Sequence, residues 1–220
     1  MINKMLLPLK SKLYNSQARE MLYRAKSRLR LRNKKFTIIS NNCWAWSVYE
    51  DMGQPYNTPT IGLYFFAPCY LKLLQNLKHY LECKLDFKRD SLYEEGNKRI
   101  SKCSHFYPIG VLDDIEIHFL HYKTEEDALA KWNKRVRRVN FDNLFIAGSD
   151  KDLCTPQYIA QFDLLPYKNK VFFSAKNYPG LKSVVWLQSY SKEESIGDIA
   201  THRWPCRKYF DVVKWLNNGK

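Results

Sequence analysis

Apolar positions along the chain keep two different periods. Between residues 15 and 32, Ala18, Met21, Leu22, Ala25 and Leu29 recur at helical spacing with Arg and Lys around them. That pattern predicts an amphipathic helix. Phe36 to Ser40 is a short apolar strand, and Asn41-Asn42 offers a turn and an N-cap for a helix from Cys43 to Met52, with Gly53 as its C-cap. Thr60 to Phe66, rich in β-branched and aromatic residues, predicts a second strand. From Pro68 a helix is predicted to about Leu81, its buried side formed by Leu71, Leu74, Leu77, Tyr80 and Leu81. Residues 82–110 are less regular, and Asp86 to Lys98 is charged enough to lie at the surface.

The second half continues the alternation. Ile115 to Tyr122 predicts a strand, and Thr124 with Asp127 has the spacing of a capping box that opens the next helix. Ala128, Leu129, Trp132, Val136 and Val139 form the buried stripe of that helix. Asn143 to Ala147 is a strand, Thr155-Pro156 starts a helix to about Phe162, and Lys170–Ala175 and Ser183–Ser189 are two more strands of open pairing sense. Asp211 to Leu216 ends the pattern as a helix. Strands alternating with helices imply an α/β fold, a three-layer α/β/α sandwich around a Rossmann-like mixed sheet of five to six or more strands.

Composition narrows the class. The chain has 220 residues, 45% hydrophobic and 15% aromatic, which excludes a disordered polymer and suits one domain with a real core. The net charge of +14 first suggests an anionic partner. Residues 1–35 carry eleven basic residues and a single acid, Glu20, leaving the other 185 residues an excess of only four positive charges. The chain therefore divides into a basic amphipathic arm, 1–35, and a near-neutral α/β domain, 36–220, and nucleic acid is not expected as a partner. The arm's stripe either packs on the body or lies on an anionic membrane surface. The longest apolar run, Ile61 to Leu71, is broken by Pro68 and too short to span a bilayer. Leu6, Leu7 and Leu9 are followed at once by Lys10 and Lys12, which does not make a signal-peptide core. Cys43, Cys69, Cys83, Cys103, Cys154 and Cys206 show no zinc or Cys-x-x-Cys spacing, so reduced thiols and a cytoplasmic setting are expected.

No dinucleotide fingerprint, P-loop or Gly-x-Ser-x-Gly elbow occurs, so chemistry is sought where open α/β sheets place it, after the carboxyl ends of strands. Behind the first strand, Cys43 sits at a helix N-terminus, where the dipole favours a thiolate nucleophile, and Asn41 and Asn42 can donate to an oxyanion or sugar hydroxyl. The alternative is a buried thiol beside a capping asparagine. Around the third strand, His118 has Glu116 as a carboxylate partner on one face and His121 lies nearer the strand end on the other, and each is a general-base candidate or a hydrogen-bonded structural group. After the fourth, Asp150-x-Asp152 is either a pair of hard oxygen ligands for Mg or Mn on a diphosphate, or a loop bond and a helix-start acid. Basic residues 131–138, Arg135 among them, form a phosphate patch or a solvated helix face.

Several longer segments occur together: Phe36-Thr-Ile-Ile-Ser-Asn-Asn-Cys-Trp44, Gly53-Gln-Pro-Tyr-Asn-Thr-Pro-Thr60, Asp114-Ile-Glu-Ile-His-Phe-Leu-His-Tyr-Lys123, Trp132-Asn-Lys-Arg135 with Asn140, Asp150-x-Asp152 and Leu165-Pro-Tyr-Lys-Asn-Lys170. In that order they resemble a bacterial domain-of-unknown-function family, number nineteen-nineteen, often labelled exopolysaccharide biosynthesis protein. The Asn-Cys step is also similar to that of coenzyme A-binding capsule polysaccharide acetyltransferase-like proteins. The resemblance implies an α/β fold and a role in making surface polysaccharide. Trp46 stands where the family pattern leads one to expect a small residue, and a second indole there would narrow a pocket.

Three functional expectations follow. The first is a transferase that acylates a sugar hydroxyl from coenzyme A thioesters, with His121 or His118 as base, Cys43 as nucleophile or wall thiol, and Asn41, Asn42, Trp44, Tyr122, Arg135, Asp150 and Asp152 contacting substrate. The second is a glycosyltransferase using a nucleotide sugar with Mn or Mg on Asp150 and Asp152. The third is a non-catalytic module held at the inner face of the membrane by residues 1–35. The partner in the first two is a polysaccharide precursor or activated sugar.

Overall fold

A computed structural model describes residues 3–103 and 105–219, with side chains from residue 17 onward. Four strands, β1 (Thr37–Ser40), β5 (Leu144–Ser149), β6 (Lys170–Ser174) and β7 (Val184–Trp186), form a sheet in the order β1-β5-β6-β7, every pair parallel. Parallel strands alternate side chains between two covered faces, and both must be apolar. Ile39, Ile146 and Phe172 enter one core with helices α3 (Ala67–Gln75), α6 (Glu125–Val136) and α7 (Pro156–Leu164). Ile38, Phe145, Val171 and Phe173 enter the other with α2 (Trp44–Met52), α8 (Trp204–Tyr209) and α9 (Val212–Asn217).

The α/β class expected from the alternating pattern is the class observed, with the strands divided between two sheets. A separate antiparallel sheet holds β2 (Asp86–Lys88), β3 (Ile109–Leu112) and β4 (Ile115–His118). The segment 60–66, expected as a strand, makes only a single bridge, Tyr64 to His118. Pro59 precedes it and Gly62 adopts φ +73, which interrupts an extended run. Its backbone joins the two sheets instead: the Tyr64 N–H donates to the His118 carbonyl at 2.9 Å, and the Phe65 N–H to the Asn41 carbonyl at 3.0 Å. The strand expected over 115–122 ends at His118, and the chain then turns through His121, whose N–H donates to the Gly62 carbonyl.

The helical expectations hold more closely. Thr124 caps α6 by accepting from the Asp127 N–H at 3.1 Å, and Gly53 ends α2 in the left-handed region. The helix expected over 68–81 divides at Asn76 into α3 and α4 (Leu77–Glu82) with its apolar side buried throughout. Residues 82–110 contain β2, β3 and α5 (Glu94–Lys102), which the irregular pattern concealed.

Helix α1 (Asn3–Arg30) turns the opposite way from a helix that seats its apolar stripe on the body. Met21 and Leu22 are each 71% exposed and Leu29 is 88% exposed. The inward side is Glu20, Tyr23, Arg24 and Ser27, with Leu31 buried just past the helix end. Charge decides the orientation. Asp51, 5% exposed, receives Arg24 at 3.2 Å, Arg203 at 3.0 Å and Arg207 at 2.7 Å. Arg28 donates to the Glu50 and Asp51 carbonyls at the C-terminus of α2, where the helix dipole favours a cation. Arg207 also stacks 4.0 Å over Tyr23 and reaches Glu20 at 2.7 Å. No helix among the described residues is long and apolar enough to cross a membrane.

Removing one partner of a buried ion cluster strands the others, typically at about 3–5 kcal/mol. Asp51→Ala is accordingly expected to lower unfolding stability by about 3 kcal/mol in urea titration. A loss under about 1 kcal/mol would show that Glu50 and Glu20 carry the cluster without it.

Candidate functional site

A cavity of about 740 Å³ opens beyond the carboxyl ends of the parallel strands. Asn42 and Cys43 after β1, Lys151 and Asp152 after β5, and Asp198, Ala200 and Thr201 after β7 form one side. Gly62, Tyr64, His121 and Tyr122, with Lys131 and Arg135 from α6 and Arg99 from α5, form the other. Gly62 is required here. A Cβ on it would come 3.1 Å from the Tyr122 ring and 3.3 Å from the His121 Cβ, so the bare backbone lets both side chains stand against the wall.

The wall carries four cations and two carboxylates. Asp152 is committed to Arg99 at 2.8 Å, and Asp198 accepts from the backbone of Ala200 and Thr201 and from the Thr201 hydroxyl. Three of the cations rest on rings: Arg99 lies 4.6 Å from the Tyr64 centroid, Lys131 5.2 Å from Tyr122 and Arg135 5.7 Å from Tyr56. Stacking on a ring fixes a long side chain while leaving its charge in place. Arg135 also donates to the Tyr122 hydroxyl and, at 3.4 Å, to the Ile61 carbonyl. Lys131 also pairs with Asp127 at 2.8 Å, so among the described residues Arg135 and Lys151 are the lining cations without an ion-pair partner. The cavity is thus a positively charged, aromatic-walled cleft of the size that takes a small-molecule ligand.

Of the residues singled out in the sequence, Asn42, Cys43, His121, Tyr122, Arg135 and Asp152 reach this cavity. His121 is exposed at its edge, and among the described residues its ring has no hydrogen-bond partner. Asn42 is part-committed: its Oδ1 accepts from the N–H of Trp44, the first residue of α2, at 2.9 Å, and its Nδ2 donates to Ser149 Oγ at 2.8 Å; the N-cap position itself falls to Cys43, one residue later than the sequence suggests.

The others serve the fold. Asn41 is 1% exposed, and its amide is spent on Ser149, donating to the carbonyl at 3.2 Å and accepting from the hydroxyl at 3.4 Å. Trp44 points into the second core, 4.9 Å from Phe173, and Trp46 takes the place at the cavity. Asp150 accepts from the Ile196 and Ala175 N–H groups and from Ser174 Oγ, and burial raises its pKa. Asp150 and Asp152 therefore face different partners and do not converge as a ligand pair.

His118 is 0% exposed and bonded to Glu116 at 2.9 Å, with its ring stacked on the inner side of Tyr64 at 4.6 Å. Burial pushes the Glu116 pKa up, but bonds from His118, the Leu92 N–H, Lys88 and Ser91 outweigh it and hold the carboxyl at about 2. The pair anchors β4 behind the cavity wall, out of reach of a substrate. Cys43 is not an activated thiol: burial raises its pKa to about 11, Asp198 adds to the rise, and Sγ contacts the Leu63 carbonyl at 3.9 Å.

The sequence profile of a family described as a domain of unknown function, DUF1919, matches residues 14–217. The chain belongs to this family. A protein of Haemophilus influenzae described as uncharacterized is 39% identical over 194 residues, covering 86% of this chain and 88% of that protein. The family match takes in α1 from residue 14 onward as well as the sheet and the cavity.

In this DUF1919 protein the side chains that sequence reading passed over are the long ones. Lys131 is the exception: it lies in the basic run 131–138, four residues before Arg135 on one face of α6. Lys151 lies between the two aspartates that drew attention. Tyr56 lay within the quoted 53–60 segment without a role, and Arg99, Tyr64, Asp198 and Thr201 had no local signal, since only the joining of the two sheets brings them together.

The thiol makes a direct test. Cys43 is expected to stay unmodified by iodoacetamide at pH 8, with carbamidomethylation rising only as the pH approaches about 11. Peptide mass spectrometry reads this site by site. Rapid alkylation at pH 8 would restore the nucleophile assignment.

Proposed function

We propose that the cavity binds a pyrophosphate-bearing donor and that the protein is a transferase acting on a polysaccharide precursor. The observation that carries the reading is the set of four cations, three seated on aromatic rings, around a cleft with two internally engaged carboxylates. Coenzyme A thioesters and nucleotide sugars both present a diphosphate for the cations and a ring for the aromatic wall, and both are cytoplasmic metabolites. The motif resemblance to polysaccharide biosynthesis proteins supports a sugar acceptor.

Acyl transfer is the favoured reaction. His121 stands at the cavity edge with a ring free to take a proton. A sugar hydroxyl giving its proton to His121 attacks the thioester carbonyl carbon; the carbon–sulfur bond breaks and coenzyme A leaves as thiolate, which recovers the proton. Cys43, protonated and half-buried, serves as wall. The metal-dependent glycosyl transfer reading gains little support from Asp150 and Asp152, which hold a loop and Arg99.

Thermal shift of the full chain with coenzyme A, acetyl-CoA and nucleotide sugars, each with and without Mn, is the test. Acetyl-CoA is expected to raise Tm without a metal requirement, as binding to the native state must. Arg135→Ala should abolish most of the shift. His121→Ala should keep the shift but lose acyl transfer to acceptor sugars by about 10²-fold or more. No shift with any diphosphate donor would overturn the reading, and a Mn-dependent shift confined to nucleotide sugars would move it to glycosyl transfer.

A further inference from the structure

The outward face of α1 is a second site, independent of the cavity. Between residues 17 and 30 the helix spends its charged and aromatic side on the body and leaves Met21, Leu22 and Leu29 almost wholly in solvent. Ala18 and Ala25 continue the same side, so the exposed residues form one stripe along the axis. Three large apolar side chains in line at this exposure are the mark of a surface with a partner.

We propose that this stripe docks on an anionic lipid surface. The charge around it selects that partner. Glu20, the only acid before Glu50, turns inward onto Arg207, so the described outer side of the arm presents no carboxylate. Lys26, Arg32, Lys34 and Lys35 are exposed, and among the described residues they have no ion-pair partner. A row of apolar side chains flanked by free cations is what the boundary between acyl chains and acidic headgroups accommodates. A second copy of this helix would bring the same cations against these. Nucleic acid would satisfy the cations but leave the leucines in water. Because the stripe lies opposite the Asp51 cluster, docking needs no rearrangement of the contacts that hold α1 to the body.

The test is co-sedimentation of the full chain with vesicles of phosphatidylcholine alone or mixed with phosphatidylglycerol. Binding to the mixed vesicles is expected, about tenfold or more tighter than to the neutral ones, and weakening as salt rises from about 0.1 M to about 0.5 M. Leu22→Asp with Leu29→Asp should cut that binding about tenfold or more with Tm unchanged, because neither side chain supports the core. Lys34→Glu should weaken it about fivefold or more through charge alone. The inference fails if the parent does not bind mixed vesicles, or if the double variant binds them as well as the parent. It also fails if sedimentation equilibrium shows a parent dimer that the double variant converts to monomer, since the stripe then belongs to a second copy.

Discussion

Ser149, the last residue of β5, holds both asparagines that follow β1: its hydroxyl and carbonyl engage the Asn41 amide, and the hydroxyl also accepts from Asn42 Nδ2. One residue on, Asp150 collects two N–H groups and a hydroxyl from β6 and from the loop beyond β7. Parallel strands end with backbone groups that no neighbour pairs, and a buried polar group without a partner costs about 1–3 kcal/mol. Short polar side chains at the ends of β1, β5 and β6 meet that need. In doing so they fix where each loop leaves the sheet, and hence the floor of the cavity. The Phe65 N–H joins the same floor at the Asn41 carbonyl, which ties the antiparallel sheet to the parallel one and brings Arg99 and Tyr64 across from Lys151.

This division explains what was legible. The helix–strand alternation, the α6 cap at Thr124 and the α2 stop at Gly53 are local, and periodicity with capping chemistry was enough to place them. The rule that sites follow strand ends located the cavity. It did not separate residues that build the strand ends from residues that line the space beyond them, because Asn41, Asp150 and His118 carry the same chemistry in either role. The distinction is reach. Short side chains next to the sheet are consumed by its unpaired backbone, whereas Arg99, Lys131, Arg135 and Lys151 span the distance to the opening.

Two alternatives that the sequence left open have magnitudes that weigh on them. A helix N-terminus stabilises a nearby anion by about 0.3–1 kcal/mol at exposed positions. The rise of the Cys43 thiol from an ordinary 9.0 to about 11 corresponds to about 3 kcal/mol against the thiolate, so desolvation wins over the dipole. The arm poses the same contest in reverse. Burying Met21, Leu22 and Leu29 would gain a few kcal/mol, but it would turn Arg24 away from an Asp51 carboxylate that is already removed from water and already shared with Arg203 and Arg207. A buried carboxylate tolerates the loss of a cation badly, and the helix rolls to satisfy it.

The net charge therefore carries two separate meanings in one figure. The arm holds ten of the fourteen excess positive charges; Lys26 borders an apolar stripe on α1, and exposed Lys34 and Lys35 follow the helix end. The body holds the other four, and the cavity wall gathers four cations against two carboxylates, with Asp127 pairing Lys131 from outside it. In a body otherwise close to balance, such concentration in one aromatic-walled cleft is not diluted by the surrounding surface. It raises the local concentration of small anions at the strand ends, while the arm's charge, in the lipid-docking proposal, acts on a surface too large to enter the cleft. Long-range attraction and local selection are thus assigned to different parts of the chain, and neither is visible in the sum.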